Sequence, residues 1–154
     1  MLVNNKIRNA TPLEVDDIQF KSKLEVATYT ALKEEGFEPE YEKHTYVLQK
    51  SNLFSTPCYS PYKDRKKHKE VWGLNKYKTL GLRYTPDFRL QLSDLEVFIE
   101  VKGFANDRYP YQKKLFLKWL EDNNHKSVFF EIHNKKQLKQ ALEVINELKL
   151  KMNE

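Results

Sequence analysis

The order of periodic segments predicts an α/β fold: a mixed four-stranded sheet with flanking helices, in the order αβββαβα. Three observations carry this. Residues 84–92 and 95–102 alternate apolar and polar side chains, which is the period of a half-buried strand, and only Ser93-Asp94 separates them. Leu115, Phe116, Trp119 and Leu120, and later Leu138, Ala141, Leu142, Ile145 and Leu148, recur at helical spacing. The strands are interleaved with the helices, so the helices must pack on the sheet.

The elements follow in order. Residues 1–17 read as an irregular arm around Pro12. A helix over residues 22–35 carries Leu24, Ala27, Ala31 and Leu32 as its apolar stripe and stops at Gly36, the residue suited to a left-handed C-cap. Residues 41–48 are β-branched and aromatic enough for a strand. Periodicity then disappears over residues 49–83, an insertion rich in cations and aromatics. After the hairpin, Pro110 suits the first turn of a helix over residues 109–122. Residues 127–133 read as the last strand, and Asn134 as the cap of the final helix.

At 154 residues, with 40% hydrophobic and 13% aromatic residues, the chain is expected to form a single domain with a buried core rather than a disordered segment. No apolar run is long enough to span a bilayer and no signal-peptide core is present, so a cytoplasmic chain with no membrane partner is expected. The lone Cys58 excludes an internal disulfide and a cysteine-cluster zinc site, and the four histidines lack ligand spacing. Net charge is +5, and its distribution says more than the total. Residues 61–80 hold seven Lys or Arg against two Asp or Glu, and residues 108–118 hold four cations and no acid. Clustered cations fit contact with a phosphate backbone. They also fit a solvated surface. Phe54, Tyr59, Tyr62, Trp72 and Tyr77 interleave with the first cluster, a composition suited to stacking on unpaired bases.

The hairpin allows a calculation. If Ser93-Asp94 is its turn, Leu92 faces Leu95 and facing positions sum to 187, so Asp87 stands opposite Glu100. Lys102 lies two residues further along that face. Opposed like charges destabilise a sheet, and three remedies are open: a raised proton affinity on one carboxyl, a bound cation, or neutralisation by Lys102 as a surface patch. Hard oxygen ligands beside an ammonium describe a Mg²⁺ site with room for water and phosphate.

Thr85-Pro86-Asp87-Phe88, followed by Phe98-Ile99-Glu100-Val101-Lys102-Gly103 with Glu100 thirteen residues after Asp87, resembles the motif of the PD-(D/E)xK nuclease superfamily. The resemblance implies a restriction-endonuclease-like core and catalytic roles for Asp87, Glu100 and Lys102. It also implies an acidic residue from the preceding helix, best matched by Glu25, and the Val101 carbonyl as a further metal ligand. Ser22-x-x-Glu25 is equally a capping box, a purely structural role. Within the superfamily the chain looks most like small phage-type endonucleases and Holliday-junction resolvases, which would place it in a host cytoplasm. Gln112 is followed four residues on by Phe116 where some exonuclease branches have Tyr.

The combined expectation is an endonuclease acting on branched, junction or single-stranded DNA with Mg²⁺, for which Mn²⁺ substitutes. Glu25, Asp87, Glu100 and Val101 would hold the metal, and Lys102 would position or polarise the attacking water. Lys63, Arg65, Lys66, Lys67, Lys69, Lys113 and Lys114 would contact phosphates. Two strands to cut would suit a homodimer. Two alternatives stand beside this: a nuclease fold that binds nucleic acid without catalysis, and an interaction protein whose basic loop meets an acidic partner.

Overall fold

A computed structural model describes residues 13–74, 79–103 and 108–152. The chain divides into two compact units, Met1–His44 with Thr85–Glu154, and Thr45–Tyr84. The first is a mixed α/β unit with three helices and a mixed four-stranded sheet.

That unit opens on a short hairpin, β1 (Leu13–Val15) and β2 (Ile18–Phe20), within the segment expected to be irregular. Asp16 and Asp17 turn it with both φ angles positive, as a tight hairpin of natural twist requires. Helix α1 (Lys23–Glu34) follows, with Ser22 as its N-cap and Gly36 beyond its end at φ +75°. Its buried face is Glu25, Thr28, Tyr29 and Leu32, rotated from the apolar stripe read in the sequence. The cause is Tyr29, whose ring packs on Phe20 and whose hydroxyl donates to Asp16 Oδ2 at 3.0 Å.

The strand expected over residues 41–48 is two strands. β3 (Glu40–Tyr41) joins the main sheet, while β4 (Tyr46–Gln49) belongs to the second unit. Glu42, at φ +42°, marks the break. The expected strand over residues 84–92 is likewise split into β7 (Leu82–Tyr84) and β8 (Phe88–Leu92), with Pro86, which has no N–H to give a ladder, between them. β8 pairs antiparallel with β9 (Leu95–Val101), and β9 runs parallel to β10 (Ser127–Ile132). The sheet order is β10-β9-β8-β3. Helix α2 (Tyr109–Asp122) connects β9 to β10, and α3 (Lys135–Met152) closes the unit, its first turn capped where Gln137 N donates to Asn134 Oδ1 at 2.9 Å.

The two faces of β9 bury different partners. Leu95, Val97, Ile99 and Val101 share one core with Leu32 of α1 and with Leu138, Ala141 and Ile145 of α3. Phe98, on the other face, meets Phe116 of α2 edge-on with ring centroids 5.2 Å apart. Both Phe98 and Phe116 are wholly buried. A central strand covered on both sides is rigid, and that rigidity fixes whatever its last residues carry.

The second unit holds two antiparallel pairs, β4 with β7 and β5 (Tyr59–Asp64) with β6 (Lys69–Leu74). The stretch that lacks periodicity in the sequence therefore contains a six-residue-per-strand ribbon. Its alternation is hidden because neither face is covered well enough to demand apolar side chains. Among the described residues no helix is long and apolar enough to cross a membrane.

Phe98→Ala would leave a cavity between the sheet and α2. Denaturant unfolding should show a loss of about 3–5 kcal/mol, the usual cost of deleting a fully buried ring.

Candidate active site at the end of the central hairpin

The β8–β9 hairpin pairs Leu92 with Leu95 across Ser93-Asp94 and continues to Phe88 with Ile99. Asp87 immediately precedes β8, so the same register carries it alongside Glu100. Both carboxyls are almost fully buried, at 8% and 3% exposure. Asp87 is anchored twice: its Oδ2 accepts from Val101 N at 2.7 Å, and its backbone carbonyl accepts from Glu42 N at 2.9 Å. Lys102 Nζ lies 2.5 Å from Glu100 Oε1 and 4.8 Å from the centre of the Tyr109 ring, a cation–π contact from the first turn of α2.

Burial, and then the negative charge of Glu100, push the Asp87 pKa up to about 7. The Val101 N–H and Lys102 work in the opposite direction, and Glu25 adds to the repulsion. The three acids expected from the sequence thus share one electrostatic neighbourhood.

Glu25 is nevertheless engaged locally. Ser22 Oγ accepts from Glu25 N at 3.1 Å and donates to Glu25 Oε1 at 2.9 Å, while Lys21 N donates to Oε2 at 3.0 Å. Tyr41 OH of the edge strand donates to the same Oε2 at 2.6 Å. This is a capping box displaced by one residue, since the carboxylate takes the Lys21 amide in place of the N-cap amide. Among the described residues no group of three His, Cys, Asp or Glu side chains is placed to hold a metal ion. The geometry brings Asp87, Glu100 and Lys102 together and sets Glu25 beside them as a brace.

A further acid lies on the same sheet face. Glu131 is paired with Glu100 across the parallel β9–β10 ladder. Burial would raise its pKa, but hydrogen bonds from Lys113 (2.6 Å) and Tyr109 (2.9 Å), with His133 Nε2 at 2.6 Å, outweigh that and hold it at about 2. Tyr109 is pushed upward by burial, by that bond and by the charges of Glu100 and Asp87. It therefore stays a protonated donor at neutral pH. Lys113, expected to face phosphates, is committed to Glu131 and half-buried, whereas Lys114 is exposed.

A protein family described as "Protein of unknown function (DUF1064)" matches residues 5–138. The chain belongs to the DUF1064 family. No curated protein and no solved structure matches it.

In this DUF1064 chain, Lys63, Arg65, Lys66, Lys67 and Lys69 are all exposed at the closed end of the β5–β6 ribbon. Asp64, the last residue of β5, accepts from Lys66 N at 2.9 Å and Lys67 N at 3.2 Å, which shapes the turn. Tyr77 lies outside the described residues. Sequence reasoning missed Glu131 and Tyr109. Ser127, Phe129 and Glu131 do alternate with Val128, Phe130 and Ile132, but placing Glu131 beside Glu100 needs the parallel register, which no local turn dictates.

The raised Asp87 pKa has a stability consequence in metal-free protein. A carboxyl that binds its proton more tightly when folded favours folding below its unfolded pKa, and that contribution is lost as pH rises through the folded value. Stability should therefore fall between about pH 4 and pH 7. Asp87→Asn keeps an acceptor for Val101 N and removes the charge. Denaturation in EDTA should find this variant more stable than wild type at about pH 8, by on the order of 1–3 kcal/mol, with the slope flattened. Glu131, held low, acts only below about pH 4 and leaves that window clear.

Proposed function

We propose that the chain is a metal-dependent endonuclease hydrolysing phosphodiester bonds in branched, junction or single-stranded DNA, built on a restriction-endonuclease-like core of PD-(D/E)xK type. One observation carries the reading: two buried carboxyls of like charge meet where a hairpin enters the core, with an ammonium in contact with one of them. Burying such a pair is costly unless a cation or proton joins it. The element order around the main sheet, α1, β3, β8, β9, α2, β10 and α3, supports the fold assignment.

The donor set fits Mg²⁺. That ion binds through one or two carboxylates, keeps several waters and completes its shell with substrate phosphate, so a closed protein cage of three acids is not required. Asp87 and Glu100 would hold it, with the Val101 carbonyl added on the strength of the family resemblance. Bound there, it would supply Lewis acidity and a water of lowered pKa.

The chain's own groups do the rest. The Val101 N–H fixes one Asp87 oxygen and so the direction of the other. Lys102 keeps its contact with Glu100 through one N–H and has further donors for the attacking water or the scissile phosphate. The Tyr109 ring limits where that ammonium travels. Glu25 holds the edge strand to α1 through Tyr41, which keeps the entrance of β8 in register.

A gel assay on labelled single-stranded, duplex, flap and four-way-junction DNA tests this, run with Mg²⁺, Mn²⁺ or EDTA. Metal-dependent internal cuts are expected from wild type. Lys102→Ala and Glu100→Gln should each reduce the rate by roughly 100-fold or more, the scale at which a positioned electrostatic group contributes. Wild-type cutting by Glu100→Gln would remove the assignment. Salt-sensitive binding with no cut under any metal would support the non-catalytic alternative.

A further inference from the structure

The β5–β6 ribbon has two unlike faces. Its register sets Tyr59 opposite Leu74, Pro61 opposite Trp72 and Lys63 opposite Glu70, so these six side chains share one face. Ser60, Tyr62, Asp64, Lys69, Val71 and Gly73 take the other. On that second face Tyr62 lies down on its own ribbon, since a Cβ added to Gly73 would come within 2.4 Å of the Tyr62 ring. Tyr62 is still 55% exposed, but the first face carries two rings, Trp72 at 73% and Tyr59 at 62%. The cationic turn of Arg65, Lys66 and Lys67 closes the same ribbon, with Lys63 and Lys69 at its base. Lys63 shares the Trp72 face, two residues beyond Pro61, which stands opposite Trp72, so it lies roughly 7 Å further along the ribbon.

Exposed cations alone would serve a duplex, whose phosphates face outward while its base faces are hidden in the stack. An indole and a phenol held outward beside them gain nothing from a closed duplex. They gain from bases whose faces are open, because base–aromatic stacking tolerates any sequence and adds to backbone neutralisation. We propose that the Tyr59–Trp72 face of the β5–β6 ribbon is a stacking platform for unpaired bases of single-stranded DNA, with the turn cations gripping the adjoining phosphates. The inference rests on the nucleic-acid reading above for its class of ligand. It uses no residue of the acidic site, and it narrows the preferred substrate to DNA with an unpaired segment.

Intrinsic fluorescence of the full chain, titrated in EDTA with oligothymidylate and with a blunt duplex of equal length, tests it. The chain has 2 Trp; Trp72 is 73% exposed, whereas Trp119 is half-buried and stacked on Phe116 with centroids 6.5 Å apart, and a Trp119→Phe background isolates the Trp72 signal. Single strands should quench the emission and bind more tightly than duplex. Trp72→Phe should keep most of the affinity and lose the quenching, and Trp72→Ala should weaken single-strand binding by about tenfold or more. No quenching of Trp72 in the Trp119→Phe background, unchanged affinity in Trp72→Ala, or equal affinity for duplex would each overturn the platform. EDTA separates this from the chemistry. A Trp72-dependent signal in a chain that cuts nothing would sustain the platform and sink the nuclease reading. Metal-dependent cutting with no effect of Trp72 would do the reverse.

Discussion

Two carboxyls of the same sign are forced together by the register of the β8–β9 hairpin, and the surrounding structure is arranged around their repulsion. A one-residue slip of that register would turn Phe88, Leu90 and Leu92 out of the α1–α3 core, so Asp87 and Glu100 cannot separate without unpacking the sheet. What offsets the repulsion is local. Val101 N–H binds Asp87 and Lys102 meets Glu100, yet burial, and then the remaining repulsion, give Asp87 a proton affinity far above that of an ordinary aspartate.

Glu131 shows the contrast. It lies on the same face one strand away, yet Lys113, Tyr109 and His133 satisfy it, and its proton affinity drops instead of rising. One carboxylate is held low by the protein's own cations and donors, whereas burial and a neighbouring carboxylate raise Asp87. Tyr109 links them, donating to Glu131 while its ring sits under the Lys102 ammonium. Because α2 begins at Tyr109, the helix that covers Phe98 also sets the position of the lysine.

Much of this was legible in the sequence because it depends on local chemistry. The pairing of Leu92 with Leu95 follows from a two-residue turn and strict alternation, and with it the meeting of Asp87 and Glu100. Helix α2 begins at Tyr109 and ends at Asp122 as its apolar spacing and Pro110 require. The losses are non-local. The split of the strand read over residues 41–48 depends on which partner each half finds, β8 or β7. The ribbon from Tyr59 to Leu74 escaped because an exposed hairpin need not alternate, and Glu131 because parallel pairing is set by a crossover helix. Glu25 fulfils its capping reading by direct hydrogen bonds and adds its charge to the field at Asp87, while its reading as a metal ligand rests on the family resemblance alone.

Manganese binding to the metal-free protein, followed by electron paramagnetic resonance at about pH 8, above the Asp87 pKa, addresses the central claim without reference to any substrate. Saturable binding is predicted for wild type, lost in both Asp87→Asn and Glu100→Gln and retained in Glu131→Gln. Absence of binding, or binding indifferent to Asp87 and Glu100, would contradict the account and leave the buried pair to be balanced by protons alone.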